Sequence, residues 1–260
     1  MLPGVFKSAK KDGTVYYRSS FTYQNKHISL GSFSTEWKAH TAYAEAANIM
    51  SSSCTLEDYS DVFTISFEKY VILINFRDSG MYFKTPIYLK QKYFYYYFSK
   101  KDYLIFDTDD LFYYSSHKIM RRKGHLFVAD YGMQINILSR YGIKNYAVPG
   151  KDYIFINGNT SDYRYENITV INHYYGVSLF LQEGIQYFKA KLHIHGDYLV
   201  GIYDTEIQAA IAYNKAVDFV KMRGCSKNFN TNYIEDLSPR KYAEIYSSIK
   251  ISKNIENYKQ

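Results

Sequence analysis

Two stretches of this chain repeat one another about 170 residues apart. Gly31-Ser32-Phe33-Ser34-Thr35-Glu36 returns as Gly201-Ile202-Tyr203-Asp204-Thr205-Glu206, and Ala42-Tyr43 returns in register as Ala212-Tyr213. A plan written twice must fold twice, and at this spacing it is a duplicated module rather than a solenoid. In the first copy Gly4-Val5-Phe6-Lys7 opens, Lys11-Asp12-Gly13 turns, and Val15 to Tyr23 is β-rich. Gln24-Asn25-Lys26 turns again and His27 to Phe33 runs back, which predicts a three-stranded antiparallel sheet. Ser34 or Thr35 then caps a helix with Glu36 in its first turn and small residues at Ala39, Ala42 and Ala46. In the second copy Gly176-Val177-Ser178 matches Gly4-Val5-Phe6, and Lys189 to Leu192 is a strand. His195-Gly196-Asp197 turns, Tyr198 to Tyr203 is the third strand, and a helix capped within Asp204-Thr205-Glu206 carries Ala209, Ala210, Ala212 and Ala216.

The chain has 260 residues, 47% of them hydrophobic, enough for one large domain or two to three small ones with real cores. Net charge is +7 with a pI near 9.0, which fits a polyanionic partner without requiring one. Cys54 and Cys225 stand far apart with no ligand pattern around them, which excludes a disulfide framework and a zinc site and points to a reducing compartment. No signal peptide is expected at Met1-Leu2-Pro3-Gly4-Val5, and no run approaches the roughly 20 apolar residues of a membrane helix. Glycine-rich phosphate loops are absent, so no cofactor and no small-molecule substrate is expected. The expectation is a soluble cytoplasmic protein, nucleoid-associated if bacterial.

The duplicated module resembles the Apetala-two/ethylene-response-factor DNA-binding domain. Leu30-Gly31-Ser32-Phe33 with Thr35, Ala39, Ala42 and Tyr43 fits that family's pattern, and the second copy is looser at Val200-Gly201-Ile202-Tyr203 but ends in Asn228-Phe229. The resemblance implies double-stranded DNA as partner, with the sheet in the major groove and the helix behind it. Strand alternation then turns Tyr17, Ser19 and Phe21 towards the helix if Val5 faces it. The outward set of the first copy is Phe6, Ser8, Arg18, Ser20, Thr22, His27 and Ser29, with Lys7, Lys10, Lys11 and Lys26 available to phosphates. In the second copy it is Ser178, Phe180, Lys189, Lys191 and His193. Arg18, the single outward arginine of the first sheet, suits a bidentate contact with guanine.

Between the copies, strands are expected at 62–76, 82–97 and 102–106, a helix within Asp109–Lys118, and a strand from His125 to Ala129. Arg121-Arg122-Lys123 reads as a basic turn able to touch the DNA backbone, and the run Phe94 to Phe98 as a strand packed on both faces, with stacking on unpaired bases as the alternative. Short helices are expected at 133–143 and from Asp162 to Ile168, and Ser238-Pro239 starts a capped C-terminal helix. Asp152-Tyr153-Ile154-Phe155-Ile156-Asn157-Gly158-Asn159, followed by Asp162, Arg164 and Asn167, resembles the HNH (His-Asn-His) endonuclease finger. In that family an Asp-His pair precedes the Asn-Gly turn, supplying a metal ligand and a general base. Here Ile154 and Phe155 hold those places, and no histidine occurs near Gln134 to Asn136, where an earlier one belongs. Ile and Phe neither accept a proton nor bind a hard cation, and His117 and His125 are the only nearby substitutes.

The expected fold class is therefore α+β: two small three-stranded antiparallel sheets, each backed by one helix, flanking a central α+β region resembling a degenerate HNH fold. The expected divisions are 1–52, 60–172, 173–232 and a C-terminal segment 233–260. The expected function is DNA binding, as a transcriptional regulator or mobile-element-derived binder, with no catalytic or metal-ligating residues. An HNH-type endonuclease with displaced ligands, and an RNA- or ribosome-binding protein, are the alternatives; oligomeric state is left open.

Overall fold

A computed structural model describes residues 1–235 and 237–258; Asp236, Lys259 and Gln260, within the expected C-terminal segment, lie outside the described residues. The chain divides into two units, Met1–Ile135 with Asn159–Asn167, and Asn136–Gly158 with Ile168–Gln260. The fold is α+β.

The first unit opens with β1 (Val5–Ala9), β2 (Val15–Tyr23) and β3 (Lys26–Phe33), an antiparallel sheet in that order. Helix α1 (Glu36–Ser51) backs it, capped by Thr35, whose hydroxyl accepts from the Lys38 amide at 3.2 Å. Ala39, Ala42 and Ala46 are fully buried, so α1 lies close on Val5, Ile28 and Leu30. Burying a side chain such as Ile28 contributes about 1.5–3 kcal/mol.

Helix α2 (Phe67–Ser79) occupies part of the expected strand 62–76. Tyr70 to Phe76 are seven consecutive buried residues. A helix covered on every side shows no period in its sequence, and its aromatic and β-branched residues read as strand. The ends decide it: the Ser66 hydroxyl accepts from the Lys69 amide, and Gly80 closes the helix at φ +70°. Asn75, the polar residue in the run, donates to the Met81 carbonyl at 2.8 Å and accepts from the Leu89 amide at 2.9 Å.

The expected strand 82–97 is two shorter ones, β4 (Ile87–Leu89) and β5 (Tyr93–Ser99), which form a sheet with β6 (Asp102–Asp107). A short α3 (Leu111–Ser116) falls within the helix expected at Asp109–Lys118, and β7 (Ile119–Arg122), β8 (His125–Asp130) and β9 (Met133–Asn136) make a third sheet. The helix expected at 133–143 is instead β9 followed by a 3-10 turn, Ile137–Tyr141, because the Asn136 side chain caps the Leu138 amide at 2.9 Å and forces a new start there.

In the second unit β10 (Tyr153–Phe155) pairs antiparallel with β11 (Ile168–Val170). The helix expected from Asp162 is absent: the segment Asn159–Asn167, which belongs to the first unit, ends in a 3-10 turn, Tyr165–Asn167, directly before β11. The second module follows as β12 (Val177–Gln182), β13 (Ile185–His193) and β14 (Asp197–Tyr203), backed by α4 (Glu206–Met222) with Thr205 as its cap. Then come α5 (Pro239–Ser248), at the position expected for the C-terminal helix, and α6 (Lys253–Glu256).

The two modules agree in detail that the strand pattern alone does not require. In each, the pairing register shifts once, between Ser19 and Ser20 or between Ala190 and Lys191, leaving Leu30 or Val200 as the extra residue of the third strand. In each, a glycine carbonyl ahead of the first strand accepts from the residue after the shift, Ser20 to Gly4 at 3.1 Å and Lys191 to Gly176 at 2.8 Å. The likeness runs past the sheet and helix. Ser66-Phe67-Glu68-Lys69-Tyr70 and Ser238-Pro239-Arg240-Lys241-Tyr242 each start a second helix, with the serine capping the lysine amide, and each packs on its module's first helix.

Candidate nucleic-acid interface

The first sheet turns Val5, Ile28 and Leu30 into the core and leaves the other face open. On that face Phe6, Arg18, Thr22, His27 and Ser29 are exposed and Ser8 is half-buried. Arg18 sits on the middle strand between Phe6 and Ser32, and no carboxylate pairs with it among the described residues. Thr22 and His27 face each other across the strands, with Oγ1 and Nδ1 3.4 Å apart. Ser20 corrects the expectation: it is only 9% exposed, because its short side chain stands beside the register shift between the longer Arg18 and Thr22. Lys7, Lys10, Lys11 and Lys26 are all exposed, the last with its ammonium 5.2 Å from the centre of the Tyr82 ring.

The second sheet buries Val177, Ala190, Leu192 and Val200 against α4. Its outer face carries Lys189 at the register of Arg18, between Ser178 and Ile202. Lys189 is half-buried with its ammonium 4.5 Å from the centre of the Phe180 ring, and Phe180 packs on Tyr187. Lys191 and His193 are exposed, but both meet an acid that the strand pattern left in a turn. Asp197 Oδ1 lies 2.9 Å from His193 Nδ1, and Oδ2 lies 3.6 Å from Lys191 Nζ. The His193 hydrogen bond, and then the charge of Lys191, hold the Asp197 carboxyl below its ordinary value. Leu199 and Ile202, 45% and 47% exposed, complete a face more apolar than the first.

The basic cluster is not a uniform turn. Arg121 lies in β7, where its guanidinium takes both oxygens of Asp102, at 2.6 and 3.1 Å, and stacks 4.5 Å from Phe98. A fork committed to a carboxylate is not free for phosphate. Arg122 and Lys123 remain exposed, Lys123 at φ +48° in the hairpin turn. In β5, Phe94 and Tyr96 are buried, whereas Tyr93, Tyr95 and Tyr97 are half-buried on the other face, where Tyr95 and Tyr97 pack against Tyr103.

The stretch from Asp152 to Asn167 makes local hydrogen bonds and ion pairs. Ile154 is 39% exposed and Phe155 pairs with Ile168 in the two-stranded sheet. Asp162 is 1% exposed, and its carboxylate takes Arg164 Nε at 2.9 Å and Nη2 at 2.7 Å. The Asn167 amide donates to the Asp162 carbonyl at 2.8 Å. Asp152 holds its own loop, accepting from the Val148 amide and from Asn172 Nδ2, each at 2.7 Å. Of the two substitute histidines, His117 bonds the Tyr113 carbonyl and lies 3.5 Å from Asp130, and His125 is exposed at the start of β8. Among the described residues no group of three or more His, Cys, Asp or Glu side chains is placed to hold a metal ion, and no helix is long and apolar enough to cross a membrane. Comparison with protein-family models, with curated proteins and with solved structures finds no match to this chain.

Proposed function

We propose that this chain is a duplex-DNA-binding protein, with two Apetala-two-like sheets as readers and a central region, derived from an HNH-like frame, that does not cut. The observation that carries the reading is the register identity of Arg18 and Lys189. Each stands at the middle of its sheet, on the face turned away from the helix, at the same position relative to the shared register shift. A narrow sheet can enter a major groove about 12 Å wide and present alternate side chains to base edges. Two such readers on one chain gain affinity through effective concentration, so each sheet can bind weakly by itself. Regulation of transcription is a role such a protein would fill. The silent centre rests on residue identity: Ile154 and Phe155 supply neither a base nor a ligand, and the backbone after them continues as strand β11 rather than as a helix.

The test is duplex binding by wild type and by Arg18→Ala combined with Lys189→Ala, using duplexes selected from a random pool. Each lost base contact is expected to cost about 1–3 kcal/mol. Unchanged affinity would remove both faces as readers. Tighter binding to matched RNA would favour the RNA-binding alternative. Plasmid nicking that needs Mg²⁺ or Mn²⁺ and stops with chelator would restore the nuclease.

A further inference from the structure

The second unit contains a cleft that neither strand alternation nor the duplicated module suggests. The loop around Lys144–Asp152, the residues leading into β12 and the segment Lys227–Asn230 after α4 surround about 570 Å³. That lies within the usual range for ligand pockets, about 300–1,000 Å³. Four lysines line it: Lys144, Lys151, Lys191 and Lys227. Two carboxylates line it as well, Asp152 and Asp197, so with His193 neutral the lining carries four positive and two negative charges, a net +2.

Both acids are already engaged. Asp152 is held by the Val148 amide and Asn172, and Asp197 by His193 and Lys191. The lysines are less committed. Lys227 donates to the carbonyls of His193 and Ile194, at 2.8 and 3.1 Å, which leaves one of its three protons. Lys144 stands 5.5 Å over the Tyr175 ring, and Lys151 has no ion pair among the described residues. Ammonium groups drawn from distant parts of a chain into one cleft repel each other until an anion enters.

The remaining walls are not those of a simple phosphate site. Tyr174, Tyr175 and Phe229 present half-buried rings, and Tyr146 stands at the rim 93% exposed. Asn145, Asn228 and Asn230 add side-chain amides, which both donate and accept hydrogen bonds. Cations beside aromatic faces and amides match a ligand with an anionic end and a planar, hydrogen-bonding end.

We infer that this cleft is a nucleotide site: lysines take the phosphate, and the base lies against an aromatic wall. The nucleotide is either free or an unpaired residue of a single strand. The inference does not depend on the sheet faces reading duplex DNA.

The experiment is calorimetric titration of the full chain with adenosine 5′-monophosphate, with inorganic phosphate, and with a short single-stranded oligonucleotide. The Lys144→Ala/Lys151→Ala double variant is compared with wild type, and the Lys→Arg pair serves as the charge-preserving control. Wild type should bind the mononucleotide, the double variant about tenfold or more weakly, and the arginine pair close to wild type. Binding of the oligonucleotide alone, with the same sensitivity, supports the site and assigns it to unpaired strands. Inorganic phosphate binding as tightly as the mononucleotide would overturn the role of the aromatic wall. No binding of mononucleotide or oligonucleotide, or binding indifferent to both lysines, would overturn the site. Mononucleotide affinity measured on the Arg18→Ala/Lys189→Ala variant separates the two proposals, since neither of those residues lines the cleft.

Discussion

Gly4 lies flat against the ring of Tyr43: at φ +74°, a Cβ on Gly4 would stand 2.1 Å from Tyr43 Cδ2. Gly176 and Tyr213 repeat the arrangement at 2.3 Å, with the Lys191 carbonyl oxygen only 2.5 Å from the same point. Gly4→Ala should therefore cost about 2–4 kcal/mol, roughly 1 for the left-handed backbone and the rest for overpacking. Gly13→Ala, at φ +82° with open space around it, should cost only the first part. Gly176→Ala should cost the most, because a backbone carbonyl yields less than a ring. Urea unfolding gives the comparison, and equal losses for Gly4→Ala and Gly13→Ala would refute the packing argument.

Ser19 is 1% exposed, and its hydroxyl makes no hydrogen bond among the described residues. The second module places Ala190 at the same register. A buried hydroxyl without a partner opposes folding, so Ser19→Ala should raise stability by about 1 kcal/mol. A loss of stability in thermal unfolding would show that the hydroxyl is satisfied after all.

Arg77, on α2, closes the end of α1. Its Nη1 donates to the carbonyls of Ile49 and Ser52, at 3.1 and 2.9 Å, and Nη2 to that of Cys54 at 2.7 Å. Arg77→Ala strands these carbonyls at a cost of about 1–3 kcal/mol for each that water cannot reach. Arg77→Lys should recover less than half, because one ammonium nitrogen does not reproduce the two separate guanidinium nitrogens, Nη1 and Nη2, that reach Ile49, Ser52 and Cys54 in a fixed planar fork. Calorimetric unfolding of the two variants checks the order.

Asp197 is a negative charge at the β13–β14 hairpin end of the second sheet, beside Lys191 and His193. Asp197→Asn should strengthen duplex binding several-fold at low salt and steepen the salt dependence, since it releases Lys191 and His193 to phosphates. Titrating affinity against salt concentration reads both effects. Weaker binding would show that Asp197 positions those two residues rather than masking them.

Several phenols should resist alkali. The hydrogen bond to Tyr93, together with burial, pushes Tyr95 up to about 12, and burial pushes Tyr97 and Tyr203 to about 12, from an ordinary 10.0. Their folded values are raised, so the stability they contribute is fully present below pH 10. Above it the unfolded chain loses protons that the fold retains, and stability falls as pH rises towards about 12. Absorbance of ionised tyrosine, followed alongside circular dichroism, should show a fraction of the phenols still protonated well above pH 10 while the fold is intact. Complete ionisation near pH 10 with the fold intact would contradict this.

Much of both modules was legible because the signals are local. Alternation put Val5, Ile28 and Leu30 on one face and Arg18, Thr22 and His27 on the other, and the threonine caps before Glu36 and Glu206 fixed where the helices start. These effects act between residues at most a few positions apart, so the sequence displays them directly. Helix α2 was hidden because a helix buried all round has no polar face to give it a period.

The candidate sites depended on partners the order of residues does not reveal. Asp102 claims Arg121, Asp197 claims Lys191 and His193, and the register shift buries Ser20. Lysines 144, 151, 191 and 227 meet only around the folded cleft. The sequence by itself determined two sheets backed by helices, and which side chains alternate outward from them. Tertiary structure alone decided which of those side chains stay free, because ion pairing and burial are set by distance in space rather than distance along the chain.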